Sequence, residues 1–316
     1  MIGSLNDSSW KLTVGIMTTT LPVDRDRLHQ PPRLRSLRLG DTTLTYVPDG
    51  TAQLRPRGWL PDTTDEVWAA HPEYLAETGD LVAGLGALLV ERDGRALLID
   101  AGFGPHSLPA TPGGPIGAIT SGALLDNLAA IGRDPATIEA VAVTHLHTDH
   151  LGWAWQPAPG TGDAPVLAHA DCLVAEPEWR QRHLAEADGT TPEILAALAP
   201  RVRTVTDGEE IFPGVLARVT GGHTAGHTVY VITAGEQRVV AFGDAMHSPI
   251  QVAHPEWSAV NDHDRHLGAV RRRDLVAELS RPDTIGYGNH FADVVFGRVR
   301  PDGEQSSWLP VATEEP

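Results

Sequence analysis

An α/β fold built as a four-layer αββα sandwich follows from three observations on the sequence. Short apolar, β-branched runs recur in both halves of the chain, and helix-forming stretches stand between them. One continuous apolar run, 138–144, leads straight into a group of histidines, which sets a strand buried on both faces beneath a polar cluster.

Residues 1–36 show no clear period and contain Pro22, Pro31 and Pro32; they are expected to form an N-terminal extension, wrapped on the domain or frayed, ahead of one large domain at 37–316. Residues 37–50 predict a hairpin turning at Gly40-Asp41. The stretch 51–80, rich in Pro, Trp and acidic residues, predicts a long connection of the kind that walls a binding site. Trp59 and Trp68 within it are pocket-wall candidates, with plain packing onto the domain as the alternative. A second hairpin, 86–100, turns through Arg92-Asp93-Gly94, and 121–132 predicts a helix capped by Ser121 and ended at Gly132. After the buried strand, 165–169 predicts a strand and 171–199 mainly helix. Strands are expected at 202–206, 214–220, 228–234 and 238–244, then an amphipathic helix at 265–280 carried by Leu267, Val270, Leu275 and Leu279, then strands at 284–288 and 294–299.

Composition excludes several classes. The net charge of −17 argues against a protein that tracks nucleic-acid phosphates. The only dense basic run, Arg271-Arg272-Arg273, reads as a solvated helix face beside Asp274 and Glu278. Cys172 is the only cysteine, which rules out an intramolecular disulfide and a Cys-rich zinc site and suits a small buried hydrophobe. With Lys11 as its one early cation the N-terminus makes a poor signal peptide, and no apolar run reaches about 18 residues, so a spanning helix is not expected. The expectation is a cytoplasmic protein acting on a small molecule, with neither nucleic acid nor membrane as partner and a homodimer left open.

The sharpest signal is Thr144-His-Leu-His-Thr-Asp-His150. His145 and His147 alternate by two and project to one side of an extended strand end, while Asp149 and His150 stand where a helix begins. A lone histidine would read as a satisfied core residue. Four potential ligands within 145–150 are too many for one tetrahedral ion in good geometry and point to two neighbouring ions. Further candidates follow later strands: His223 and His227, Asp244 and His247, and His290.

On these residues the chain resembles the metallo-β-lactamase superfamily, whose pattern is HxHxDH followed by His, Asp and His; the match covers most of 85–300. The resemblance implies that His145, His147 and His223 hold one ion, that Asp149, His150 and His290 hold the other, and that Asp244 bridges them. In Gly222-His-Thr-Ala-Gly-His227 the family's ligand is the first histidine, leaving His227 to support or pack. Asp100 would orient ligands without binding metal, and His247 and Thr224 would hydrogen-bond to ligands or simply pack their loops. The cofactors implied are two divalent ions, zinc first, with Mn²⁺, Fe²⁺ or Co²⁺ as alternatives. The activity implied is a dinuclear hydrolase in which a hydroxide shared by the ions attacks a small-molecule ester, a lactone first, with Asp149 passing a proton to the leaving group. Within the superfamily the motifs are most similar to the methyl parathion hydrolase and lactonase-like branch. Organophosphate triesters and thioesters are the nearest alternative substrates, and an iron-dependent oxidoreductase is the alternative of another class. Segments 51–80, 103–120 and 153–164 are expected to shape the pocket, with His106 facing solvent.

Overall fold

The computed structural model describes residues 25–303 and 305–316; the first 24 residues of the expected N-terminal extension lie outside it. Two mixed sheets face one another. The first holds β1 (Arg35–Leu39), β2 (Thr42–Leu54), β3 (Leu81–Arg92), β4 (Arg95–Ile99), β5 (Ser107–Leu108), β6 (Ile116–Ser121), β7 (Ala140–Ala142), β8 (Asp171–Ala175) and β9 (Val202–Val205). Its order is β5-β6-β2-β3-β4-β7-β8-β9, with β1 also paired to β2. The second runs β10 (Glu210–Phe212), β11 (Val215–Val219), β12 (Thr228–Ala234), β13 (Gln237–Ala241), β14 (Thr284–Tyr287), β15 (Phe296–Asp302) and β16 (Gln305–Pro310) in sequence order.

Alternation along the strands explains the layering, because successive side chains point to opposite faces. On β3, Leu88 and Val90 join Leu44, Tyr46, Tyr230 and Ile232 in the core between the sheets. Their neighbours Ala87 and Leu89 face the other way, against α3 (Leu124–Ala130), α4 (Thr148–Trp155) and α6 (Pro192–Leu198) through Leu128, Trp153 and Leu195. The far face of the second sheet buries Val229, Val240 and Phe242 against Leu275, Val276 and Leu279 of α7 (Arg265–Leu279). Helix, sheet, sheet, helix is the sandwich expected.

β4, β7, β8 and β9 run parallel, as do β13 and β14. Ligand-binding side chains gather beyond the carboxyl ends of parallel strands in α/β sheets, and the loops after β4, β7, β8, β13 and β14 meet on one edge of the sandwich together with the β11–β12 loop.

Several local expectations need correction. Residues 165–169 form a turn, and the strand follows at 171–175, inside the stretch read as helix. The rest of 171–199 is three short helical pieces: α5 (Glu176–Arg180), a 3₁₀ turn at Arg182–Asp188, and α6. Apolarity alone does not separate a short buried strand from a helix turn, and Cys172, Leu173 and Val174 are fully enclosed. Ser121 does not cap α3: Ala123 precedes the helix, and Ser121 ends β6 with its hydroxyl donating to the Gly104 carbonyl and to Asp49. The segment 51–80 is less open than expected. β2 continues to Leu54, and α1 (Pro56–Trp59), α2 (Asp65–Ala70) and a 3₁₀ turn at Pro72–Tyr74 follow. β5, β6, β10 and β16 lie outside the strands that the sequence predicts; they are short or carry polar residues.

Candidate metal centre

β7 ends at Ala142, and the chain leaves the sheet extended through His145 and His147 before α4 starts at Thr148. His147 is the residue ahead of the helix, so Asp149 and His150 lie in its first turn and swing back toward His145, whose ring centroid is 4.1 Å from that of His150. His223 arrives from the β11–β12 loop and places its Nε2 3.1 Å from His147 Nδ1. Asp244 follows β13 and His290 follows β14. All seven residues expected from the sequence meet here. Six are nearly sealed from solvent; Asp149 keeps a quarter of its side chain exposed.

Asp244 lies between two histidine sets. Its Oδ1 is 3.1 Å from His150 Nε2 and 3.0 Å from His290 Nε2, while its Oδ2 is 3.7 Å from His145 Nε2 and 3.5 Å from His223 Nε2. His145 Nε2, His150 Nε2 and Asp244 Oδ1 are buried yet make no hydrogen bond of acceptable geometry. Buried polar atoms without partners are costly. Nitrogens and carboxylate oxygens converging on common points are what a cation needs. The donor atoms of His145, His147, His223 and Asp244 all lie within 4.8 Å of one another, as do those of Asp149, His150 and His290. The cluster is suited to divalent metal.

The nitrogens that face away from these points are held. Asp100 Oδ2 accepts from His150 Nδ1 at 2.8 Å. Thr144 donates its hydroxyl to Asp100, so its oxygen accepts from His145 Nδ1 at 3.0 Å. Asp262 Oδ1 accepts from His223 Nδ1 at 2.9 Å, and the Gly84 carbonyl accepts from His290 Nδ1 at 2.7 Å. Such contacts fix tautomer and ring orientation. Asp100 performs the orienting role implied for it, from a backbone φ of +61° that aspartate tolerates better than most residues.

His227 is fully occupied. The Asp244 backbone N–H donates to its Nε2 at 3.1 Å, which leaves the proton of the neutral ring on Nδ1, beside Thr220 Oγ1 at 3.1 Å. Burial pushes its pKa down to about 3, so it stays neutral. Gly243 makes this contact possible, since with φ at +49° a Cβ there would sit 2.9 Å from His227 Nε2. His247 points its Nε2 at Asp244 Oδ2, 3.1 Å away, and stacks on His290 with ring centroids 5.4 Å apart. Thr224 instead donates to Glu178.

Three supporting residues escaped the sequence reading. Glu178, buried at the start of α5, accepts from the backbone N–H groups of Leu146 and Gly226 and so ties the histidine strand to the His223 loop. Asp262 and Arg272 form a sealed pair at 2.9 Å behind His223. Arg272 is therefore not part of a solvated face: its guanidinium also reaches Ser258 and the Pro255 carbonyl. Nothing local to the basic run signals this, because the partners arrive from a preceding loop.

Burial acts against charge at every group here; it prevails at His145, His227 and His247, whereas at three other histidines the carboxylates outweigh it. His150 and His290 are raised above the usual imidazole range despite burial, chiefly by Asp244 and Asp149, and His223 by Asp262 and Asp244. Asp244 is buried, which favours the neutral acid, but His290, His150 and His145 hold it well below the usual carboxylate range. Cys172 is remote in role: burial raises its thiol to about 12, which removes it as a nucleophile.

A cavity of about 490 Å³ opens onto Asp149, Asp244, His247 and His290. Ala52, Leu54, Ala83, Leu85, Phe103, Ile116 and Ile119 supply an apolar wall, and Trp59, as expected, closes one side. Trp68 packs against Trp257 instead. Segment 153–164 contributes nothing to the lining; Ala187–Asp188 and Val260–Asn261 take that place. His106 is exposed.

The metallo-beta-lactamase superfamily profile matches residues 87–288, and the chain belongs to that superfamily. Among solved structures it is similar to AidC, described as a dizinc quorum-quenching lactonase in complex with a product, at 19% identity and a TM-score of 0.75, covering 89% of this chain and 98% of that one. The hydrolase AbOPH matches at 24% identity and a TM-score of 0.73 over 90% and 99%. A variant of AiiA from B. thuringiensis with N-decanoyl-L-homoserine bound matches at 17% and 0.60 over 80% and 94%. Comparison with curated protein sequences gives no match. The chain is a metal-dependent hydrolase by family, site and fold together.

Proposed function

We propose that the chain is a dinuclear zinc hydrolase of small-molecule esters, lactones first. The observation that carries this reading is Asp244, whose two oxygens face separate histidine sets across a sealed centre. His145, His147 and His223 would hold one ion, Asp149, His150 and His290 the other, with Asp244 shared. When bound, the pair supplies Lewis acidity and an activated water at neutral pH.

The protein's own residues do the rest. Asp149, a quarter exposed at the cavity floor with Oδ2 3.6 Å from His150 Nε2 and 3.7 Å from His290 Nε2, would take up the proton that the attacking water gives up and pass it to the departing alkoxide. The apolar wall from Leu54 to Ile119 excludes water and takes an uncharged hydrocarbon arm, such as that of a substituted lactone. The likeness to AidC, described as a lactonase, supports this choice. Phosphotriesters and thioesters remain the neighbouring substrates.

Metal analysis of the purified protein, followed by turnover of lactones, aryl esters, thioesters and phosphotriesters, tests the reading. Two equivalents of zinc and fastest hydrolysis of a lactone are expected. Iron with oxygen consumption, or two zinc ions with no ester cleavage, would overturn it. His145→Ala and Asp244→Ala should each lower metal content and cut kcat/KM by about 10³-fold or more, since each removes a group that positions or polarises at the reaction centre.

A further inference from the structure

Four of the five site histidines have their outward nitrogens held by residues already described: Thr144, Asp100, Asp262 and Gly84. His147 is turned the other way round. Its Nδ1 faces His223 in the centre, which leaves Nε2 pointing outward. Asp188 Oδ2 stands 3.3 Å from that Nε2. We infer that Asp188 is the positioning residue for His147, holding its proton on Nε2 so that Nδ1 is bare toward the metal site; this rests on the dinuclear reading above.

The backbone around Asp188 is built for this. The 3₁₀ turn Arg182–Asp188 ends at Gly189, where φ is +93°. Thr190, fully buried, then donates its hydroxyl to the Leu146 carbonyl at 2.5 Å. A Cβ added at Gly189 would lie 3.5 Å from Thr148 Cγ2, so the turn runs close to the start of α4. The segment is thus tied to Leu146, the neighbour of His147, and Asp188 is delivered to that ring. The carboxylate also lines two cavities, the apolar one described above and a smaller one of about 220 Å³ bounded by Glu178, Gln181 and His263. A third of the Asp188 side chain is exposed, whereas Asp100 and Asp262 are sealed. Solvent screening therefore sets the expected effect at the low end of the 10- to 100-fold range for such partners, about tenfold in metal affinity.

The test compares wild type, Asp188→Ala and Asp188→Asn by zinc titration against a chromophoric chelator, by thermal melting of the metal-stripped proteins, and by ¹⁵N imidazole spectra of the zinc-loaded proteins. Wild type taking up two zinc ions tests the dinuclear reading on its own. Given that, Asp188→Ala should weaken one of the two sites about tenfold and lose the hydrogen-bonded Nε2–H signal of His147. Asp188→Asn, whose amide oxygen can still accept, should recover most of both, and the metal-stripped melting temperatures should agree within about 2 °C. Unchanged zinc affinity and an unchanged Nε2–H signal in Asp188→Ala would overturn the inference. So would a melting loss in the stripped variant large enough to account for the weaker binding.

Discussion

Each imidazole at the centre has one nitrogen for a cation and one for the protein, and the protein side is where the residue-scale chemistry can be tested. With no metal bound, His150, His223 and His290 are raised above the usual imidazole range by the carboxylates around them, which favours their protonated forms. A cation requires bare nitrogens, so zinc binding at pH 7 should expel protons, and affinity should fall as pH falls. Calorimetric titration in buffers of different ionisation enthalpy should show a buffer-dependent heat; a buffer-independent heat would contradict the upward shifts at these histidines. His223 and His227 offer a second residue-scale contrast. His223→Ala removes a ring anchored outward to Asp262 through Nδ1, with Nε2 facing Asp244, and should cost metal and turnover together. His227→Ala removes an acceptor for one backbone N–H, so it should cost stability, about 1–3 kcal/mol in urea unfolding, with a smaller loss of metal.

At the scale of elements, the site depends on how loops are tied to strand ends. Asp49 is the clearest tie. It is fully buried near a bulge in β2 and accepts from the backbone N–H groups of Phe103, Gly104, Gly122 and Leu124, from the Ser121 hydroxyl and from Trp153 Nε1. One carboxylate thereby joins the loop after β4, the entry to α3 and the body of α4. Gly152 lets the same loop approach, because a Cβ there would lie 2.2 Å from the Phe103 carbonyl carbon. Asp49→Ala strands several buried donors at once and should destabilise the fold by more than about 3 kcal/mol in chemical unfolding of the metal-stripped protein. A loss under about 1 kcal/mol would show that water replaces the carboxylate freely. Nothing in the sequence near Asp49 announces this role: it falls at the end of the 37–50 hairpin, and its donors lie 54 to 104 positions away. Arg272 was hidden in the same way, its partners Ser258 and Asp262 being 14 and 10 residues off along an irregular loop. Strands carried by near-continuous apolar runs, such as β3, β12 and β13, are legible in the sequence. β5, β6 and β10, short or part polar, are not, because pairing with a neighbour rather than their own pattern makes them strands.

For the whole molecule, two sheets share one core, and the centre is assembled from loops belonging to both. On the proposed reading, ions held by His145, His147, Asp149 and His150 of the first half with His223, Asp244 and His290 of the second would bind the folded chain far more tightly than the unfolded one. Saturating zinc should therefore raise the melting temperature; at 100 times the dissociation constant the gain is about 2.7 kcal/mol for one site, and a chelator should reverse it. A melting temperature indifferent to both would mean that the two halves are not joined through metal. Among the described residues no helix is long and apolar enough to cross a membrane.

The order and spacing of ligand types were in the sequence itself, since HxHxDH after a buried strand and single His, Asp and His after later strands have few other uses. So were the two β-rich halves and the apolar faces that must be covered, because period-two and helical patterns are local properties of the chain. What only the tertiary structure decided is which nitrogen of each imidazole looks inward, which acid stands behind it and which walls close the cavity. Those depend on contacts such as Asp262 with His223 and Asp188 with His147, made between segments whose separation in sequence carries no record of their meeting in space.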